Sequence, residues 1–195
     1  MDISAMLLYM VTTMITPGPN NLTMMYLGAR YGLGGTRKFL TASAASLLVK
    51  TLLCGGLNVL LADLLPPMVG WLKWLGAAYM LYLAWVMASG GFRKGTGAEE
   101  RQSESTYAAG ILLQCLNMKS WVGALTLFAV YVVPHTTAFP VIAAVSLLFL
   151  GLMLASSLAW GCFGSALRRF YNAYRKPFGL VMGASLVYCA ATAVL

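Results

Sequence analysis

Acidic and metal-binding side chains are scarce in this 195-residue chain. Charged residues make up 9% of it, and it contains five acidic residues, one histidine and four cysteines. The acidic residues lie at the ends of apolar stretches or in one loop, so no carboxylate pair is available for acid–base chemistry. The chain has no HExxH motif, and its cysteines form no CxxC pair. The sequence therefore predicts no enzyme, no metal site and no cofactor.

Apolar residues instead make up 60% of the chain. A helix crosses the bilayer hydrocarbon with about 20 residues. Stretches of about that length or longer do not alternate between apolar and polar residues, which argues against a β-barrel. The sequence thus predicts an all-α membrane protein in which residues 1–195 form a single transmembrane transporter domain. The six transmembrane helices are expected at 3–28, 39–62, 71–92, 107–133, 138–167 and 177–195.

The net charge of +8 would suggest nucleic-acid binding in a soluble protein. Most of the 13 basic residues, however, lie in the short loops after the first, third and fifth apolar stretches. Basic loops face the cytoplasm. We therefore expect both termini on the outside, membrane lipid as the partner of the basic loops, and no nucleic-acid partner.

A weak internal repeat divides the chain into halves of about 1–92 and 107–195. The segment Ala44–Leu48 resembles Ala144–Leu148, and Lys73–Gly76 resembles Lys176–Gly179, at offsets of 100 and 103 residues. A polar linker, predicted to be cytoplasmic, joins the halves at about 89–106. Because each half has an odd number of helices, the halves would be inverted, with a substrate site at their interface near the midplane.

The first apolar stretch contains the sequence TPGPNN, Thr16 to Asn21. Pro17 and Pro19 lack an N–H and disfavour helix in the preceding residue, so this helix must break. Inside a membrane such a break is tolerated where it lines a wet cavity. The following half-helix would direct N–H groups into that cavity, capped by Thr16 or Asn20, which suits a carboxylate. A purely structural proline kink is the alternative. Predicted substrate-binding residues here are Thr16, Pro17, Gly18, Pro19, Asn20 and Asn21.

Two lysines, Lys50 and Lys119, fall inside apolar stretches that contain no acidic residue. Each charge would cost about 2.5–3.5 kcal/mol unless the lysine extends to an interface, loses its proton or meets an anion. We predict that Lys119, beside Asn117, pairs with a substrate carboxylate or exchanges a proton. Lys50 is expected to extend to an interface or face a water-filled cavity, with substrate contact as the alternative. Tyr79 is deep enough to line a cavity, whereas Gln114 is interpreted as an interhelical hydrogen bond.

TPGPNN resembles the first-helix signature of the LysE/RhtB family of amino-acid exporters. Gly76–Tyr79, Asn117–Lys119 and Leu186–Cys189 resemble other family segments, and length and helix number fit along the whole chain. TPGPNN, Leu52–Cys54 and the Val-Tyr-Cys ending look closest to the cysteine and O-acetylserine exporters. The chain departs from the family at Met118, which replaces a proline, so we expect a weaker break in the fourth helix. Lys50 is also unexpected in this family.

The resemblance implies a bacterial inner-membrane exporter that works by alternating access. Its substrates would be small neutral amino acids or derivatives, in the class of cysteine, O-acetylserine, threonine and homoserine. Proton coupling is expected because the sequence contains no ATP-binding motif. A channel, or an exporter of another small anionic or zwitterionic metabolite, is the alternative. A homodimer is compatible with a transporter of this size.

Overall fold

The structure, a computed structural model, describes residues 2–90 and 107–194, without the side chains of 59–70, 72 and 90. Within these limits it is entirely helical, which confirms the predicted all-α class. The predicted linker falls largely in 91–106, outside the described residues. The helices are α1 (Ile3–Ile15), α2 (Pro19–Gly35), α3 (Arg37–Gly56), α4 (Asn58–Gly90), α5 (Tyr107–Leu116), α6 (Met118–Thr126) with a π-helical continuation (Leu127–Val132), α7 (Phe139–Ala166), α8 (Arg168–Ala173) and α9 (Arg175–Val194).

Three of the described helices, α3, α7 and α9, are long and apolar enough to cross a membrane. The bent pair formed by α5 and α6 with its π-helical continuation raises the number to four when it is counted as one span, and α1 is a shorter apolar helix. The predicted end of the second helix and the predicted start of the third are both wrong. The sequence predicts that the second helix reaches residue 62 and that the third begins at 71, but α3 ends at Gly56 and α4 begins at Asn58. The poor helix formers Gly55 and Gly56 account for this early end.

Two helices of the bundle are interrupted at a residue with extended backbone. Between α1 and α2, Gly18 has φ −168° and ψ 174°, within the predicted TPGPNN segment. Between α5 and α6, Asn117 has φ −80° and ψ 98°, and the chain bends by 59°. The second interruption thus forms at Asn117 without a neighbouring proline. We call these interruptions the first break and the second break.

Close helix contacts are made through glycine. The most extensive helix pairs are α2 with α7, α3 with α5, and α4 with α9. A Cβ added to Gly28 would collide with the carbonyl of Gly161, and one added to Gly164 would collide with the carbonyl of Met25. Gly110 likewise faces backbone of α3. Helices inside a membrane associate through such small residues, since lipid tails provide no hydrophobic driving force.

Two apolar clusters lie on opposite sides of the first break along the chain. Met6 and Met10 of α1 belong to one cluster, together with Phe128 and Phe149. The other contains residues of α2, including Tyr26. Several buried polar side chains lie near the two breaks, either in sequence or through hydrogen bonds; they include Asn21, Lys50, Gln114, Asn117, Ser120, Ser156 and Ser157. The fold thus sets a polar region between two apolar ones.

Candidate functional site

The carbonyl groups at the end of α1 are satisfied by side chains of other helices. The Met14 carbonyl accepts hydrogen bonds from Asn21 Nδ2 and from Ser156 Oγ, both at 2.8 Å. The Ile15 carbonyl accepts one from Trp160 Nε1 at 3.3 Å. Helix ends leave such carbonyls without an intrahelical donor, and burying them unpaired is costly. The first break is therefore held by specific contacts with α2 and α7.

Lys119 of α6 completes the end of α1. Its Nζ donates to the carbonyls of Thr16 at 3.0 Å and Pro17 at 3.4 Å. Gly18 leaves room for it, since a Cβ there would lie 3.3 Å from both Cδ and Nζ of Lys119. The ammonium group thus sits at the negative end of the α1 dipole, although its own backbone lies at the positive start of α6.

Lys50 of α3 donates to the helix end at the second break, as Lys119 does at the first. Its Nζ donates to the Gln114 carbonyl and, at 3.0 Å, to Ser120 Oγ. It also lies 4.7 Å from the ring centroid of Trp121, whose indole donates to the Cys115 carbonyl at 2.7 Å. Lys50 is only 3% exposed. The prediction that it extends to an interface is wrong, because these contacts hold the ammonium group inside the bundle.

A cavity of about 50 Å³ lies between the two breaks, enough for a few water molecules. Its wall brings together most of the predicted binding residues, namely Thr16, Gly18, Pro19, Asn20, Asn21, Asn117 and Lys119. Pro17 contributes only its carbonyl, through Lys119. Lys50 lines a separate, largely apolar groove of about 620 Å³ between α3, α5 and α6.

Tyr79 is not brought to this cavity. Its hydroxyl donates to the Ala109 carbonyl at 3.3 Å, and its ring stacks on that of Tyr82 with the centroids 6.0 Å apart. It also packs against the apolar cluster that contains Tyr26. These contacts assign it a packing role between α4 and α5, because its one hydroxyl hydrogen is already donated there.

Two helix N-termini form part of the cavity wall. The N-cap residues are Gly18 for α2 and Asn117 for α6. Neither helix receives a side-chain hydrogen bond at its N-terminus. The expectation that Thr16 or Asn20 caps α2 is wrong. The Thr16 hydroxyl bonds back to the Thr12 carbonyl, and Asn20 Nδ2 donates to Ser157 Oγ at 3.0 Å. Uncapped N-termini direct N–H groups and a positive dipole end toward the cavity. Together with Lys119 they make it suited to an anion.

Sequence reasoning missed several residues of the wall, among them Thr13, Met14, Gln114, Ser120 and Met153. Gln114 is predicted from the sequence to make an interhelical hydrogen bond. Its Oε1 in fact has no hydrogen-bond partner among the described residues, and the same is true of Asn20 Oδ1. The remaining four are common residue types in apolar helices, so the sequence gives no indication that they line a cavity.

The chain matches the family model described as LysE type translocator over residues 11–195. It is also similar to the cysteine/O-acetylserine efflux proteins of Escherichia coli (strain K12), Shigella sonnei (strain Ss046) and Shigella flexneri. Each is 30% identical over 188 residues, which cover 96% of this chain and 95% of the relative. No solved structure matches it.

Proposed function

Since the chain belongs to the family of LysE type translocators, we propose that it exports small neutral amino acids or derivatives, cysteine and O-acetylserine among them, across the bacterial inner membrane. It is a multi-pass membrane transport protein and not an enzyme. The substrate class is supported by relatives named cysteine/O-acetylserine efflux proteins, which align over nearly their whole length.

The observation that carries this proposal is the meeting of two broken helices at one cavity. Helices α2 and α6 both begin in its wall, and Lys119 adds a cation. The five acidic residues of the chain all lie elsewhere in the sequence. We infer that the α-carboxylate of the substrate accepts hydrogen bonds from first-turn N–H groups of α2 and α6. The Lys119 ammonium group, already at the same wall, then supplies the counter-charge.

The contacts at the two breaks support the inverted repeat. The Met14 and Gln114 carbonyls are 100 residues apart, the same offset as one sequence repeat. The first accepts from Ser156 of α7, and the second accepts from Lys50 of α3. The helix pairs follow the same relation, since α1 and α2 both contact α7 as α5 and α6 both contact α3. We propose six spans in two inverted halves, with the broken α1–α2 and α5–α6 as equivalent members.

The position of the cavity between two apolar clusters supports alternating access. Each cluster can close one side of the cavity while the other opens, which is how inverted-repeat transporters expose a fixed site. We propose that the basic loops face the cytoplasm and that both termini lie outside. The proton gradient supplies the driving force, since each charge moved gains about 2.3 kcal/mol per 100 mV.

Counterflow in proteoliposomes tests the function. Liposomes loaded with unlabelled cysteine, O-acetylserine, serine, threonine or homoserine receive trace radiolabelled substrate outside, with lysine as the non-neutral comparison. We expect saturable uptake that is accelerated by internal neutral amino acid. Absence of exchange for all of them, in protein that elutes as a single folded species, would overturn the proposal. Flux that neither saturates nor responds to internal substrate would identify a channel.

A further inference from the structure

Two amide oxygens in the cavity wall are buried without a hydrogen-bond partner among the described residues. They are Gln114 Oε1 and Asn20 Oδ1, and the whole Gln114 residue is 3% exposed. Both residues line the cavity between the breaks. Buried acceptors are nearly always paired in folded proteins, so an unpaired one calls for a donor from outside the chain. Two such residues in the wall of one small cavity point to a ligand that donates several hydrogen bonds.

A neighbouring contact orients the Asn20 amide, and another holds the backbone of Gln114. Asn20 Nδ2 donates to Ser157 Oγ at 3.0 Å, which leaves Oδ1 as its free group. The backbone of Gln114 is held through its carbonyl by Lys50, just before the second break. The acceptors come from different breaks, one from the first turn of α2 and the other from the last turns of α5. The cavity therefore carries acceptors as well as donors.

We infer that Gln114 and Asn20 form the subsite for the α-ammonium group of the substrate. This inference rests on the proposed function and deepens it. An ammonium group carries three donors and no acceptor, so it has enough donors for both amide oxygens. The carboxylate then faces Lys119 and the two helix N-termini, and the zwitterion is bound at both ends without an acidic side chain.

The subsite predicts a specific selectivity. A cavity with two buried acceptors should reject an analogue that retains the carboxylate and lacks the amine, because binding would leave both oxygens unpaired. The deaminated analogue of cysteine, 3-mercaptopropionate, has the same thiol and carboxylate. It should compete poorly with cysteine in the wild-type protein. Water molecules bound to the two amides would give no such dependence on the substrate amine.

The test compares inhibition of cysteine counterflow by unlabelled cysteine and by 3-mercaptopropionate in wild type and Gln114→Met. Hydrogen bonds to a charged group correspond to about a tenfold to hundredfold change in affinity. We expect Gln114→Met to raise the KM for cysteine by at least about tenfold and to leave inhibition by 3-mercaptopropionate unchanged. Gln114→Glu and Asn20→Asp, which retain an acceptor, should preserve discrimination against 3-mercaptopropionate.

Asn58→Leu is the matched control. Asn58 is also a buried amide with an unpaired atom, Nδ2, but it lines a different cavity beside Gly55 and Ile142. This variant should keep the wild-type preference for cysteine.

Equal weakening of cysteine and 3-mercaptopropionate binding by Gln114→Met would overturn the inference, as would no change in either. If Gln114→Met does not fold, Gln114→Glu and Asn20→Asp provide the test. Loss of discrimination against 3-mercaptopropionate in both variants would contradict the subsite. Absence of exchange in wild type would instead contradict the proposed function.

Discussion

Lys119 Nζ donates to the Thr16 carbonyl across 3.0 Å, linking two helices that are 103 residues apart in sequence. The contact joins the start of α6 to the end of α1 and therefore connects both breaks. It also leaves Lys119 exposed and in the wall of the cavity. One side chain thus both closes the first break and carries the positive charge of the proposed carboxylate site.

Replacing Lys119 should abolish most transport. Lys119→Met removes the counter-charge of the proposed carboxylate site and the donor for two carbonyls. We expect cysteine counterflow to fall at least tenfold, in keeping with about 1.5–3 kcal/mol for a hydrogen bond to a charged group. Lys73→Met is the control, because Lys73 Nζ also donates to a backbone carbonyl, that of Val194, at 3.1 Å. Exchange at the wild-type rate by Lys119→Met would contradict the assigned role.

Gly18→Ala tests whether the position of Lys119 matters. Backbone strain is not at issue, since φ is −168° and any residue adopts this conformation. The new Cβ would instead crowd Cδ and Nζ of Lys119. We expect a several-fold higher KM in counterflow with an unchanged thermal midpoint. Gly56→Ala is the comparison, because a Cβ there has no atom within 4 Å. Identical KM values for the two variants would refute this explanation.

Lys50 should matter for stability. Lys50→Met leaves the Gln114 carbonyl and Ser120 Oγ without their buried donor. An unsatisfied buried group costs about 1–3 kcal/mol. We therefore expect a thermal midpoint several degrees lower in detergent, measured beside Lys38→Met, whose lysine is exposed. A midpoint equal to that of wild type would mean that the second break does not depend on this cation.

Contact between α2 and α7 should be sensitive to one methyl group. A Cβ on Gly164 would overlap the Met25 carbonyl, whereas a Cβ on Gly151 of the same helix has no atom within 4 Å. Overpacking typically costs about 1–3 kcal/mol. Gly164→Ala should therefore lower the thermal midpoint, and Gly151→Ala should not. Equal midpoints would show that the two helices can separate without loss of stability.

The first break is plain from the sequence and the second is less so, for a physical reason. Pro17 and Pro19 forbid helix locally, so their effect is visible in the sequence itself. The second break has no proline and depends on contacts from elsewhere, such as Lys50, which lies 64 residues before Gln114. Such pairing depends on how α3 packs against α5. The unpaired oxygen of Gln114 was invisible for the same reason, because only the packed structure shows which polar atoms lack a partner.

The hydrogen bonds at the end of α1 make some positions more tolerant of substitution than others. The acceptors at Met14, Ile15 and Thr16 are backbone atoms, which every amino acid provides. The donors are particular side chains, and few residues can replace them; they are Asn21, Lys119, Ser156 and Trp160. As far as these hydrogen bonds are concerned, the accepting positions tolerate substitution and the donating ones do not. A complete substitution scan should therefore show strong effects at donor residues such as Ser156 and Trp160, which lie far from the first break in sequence.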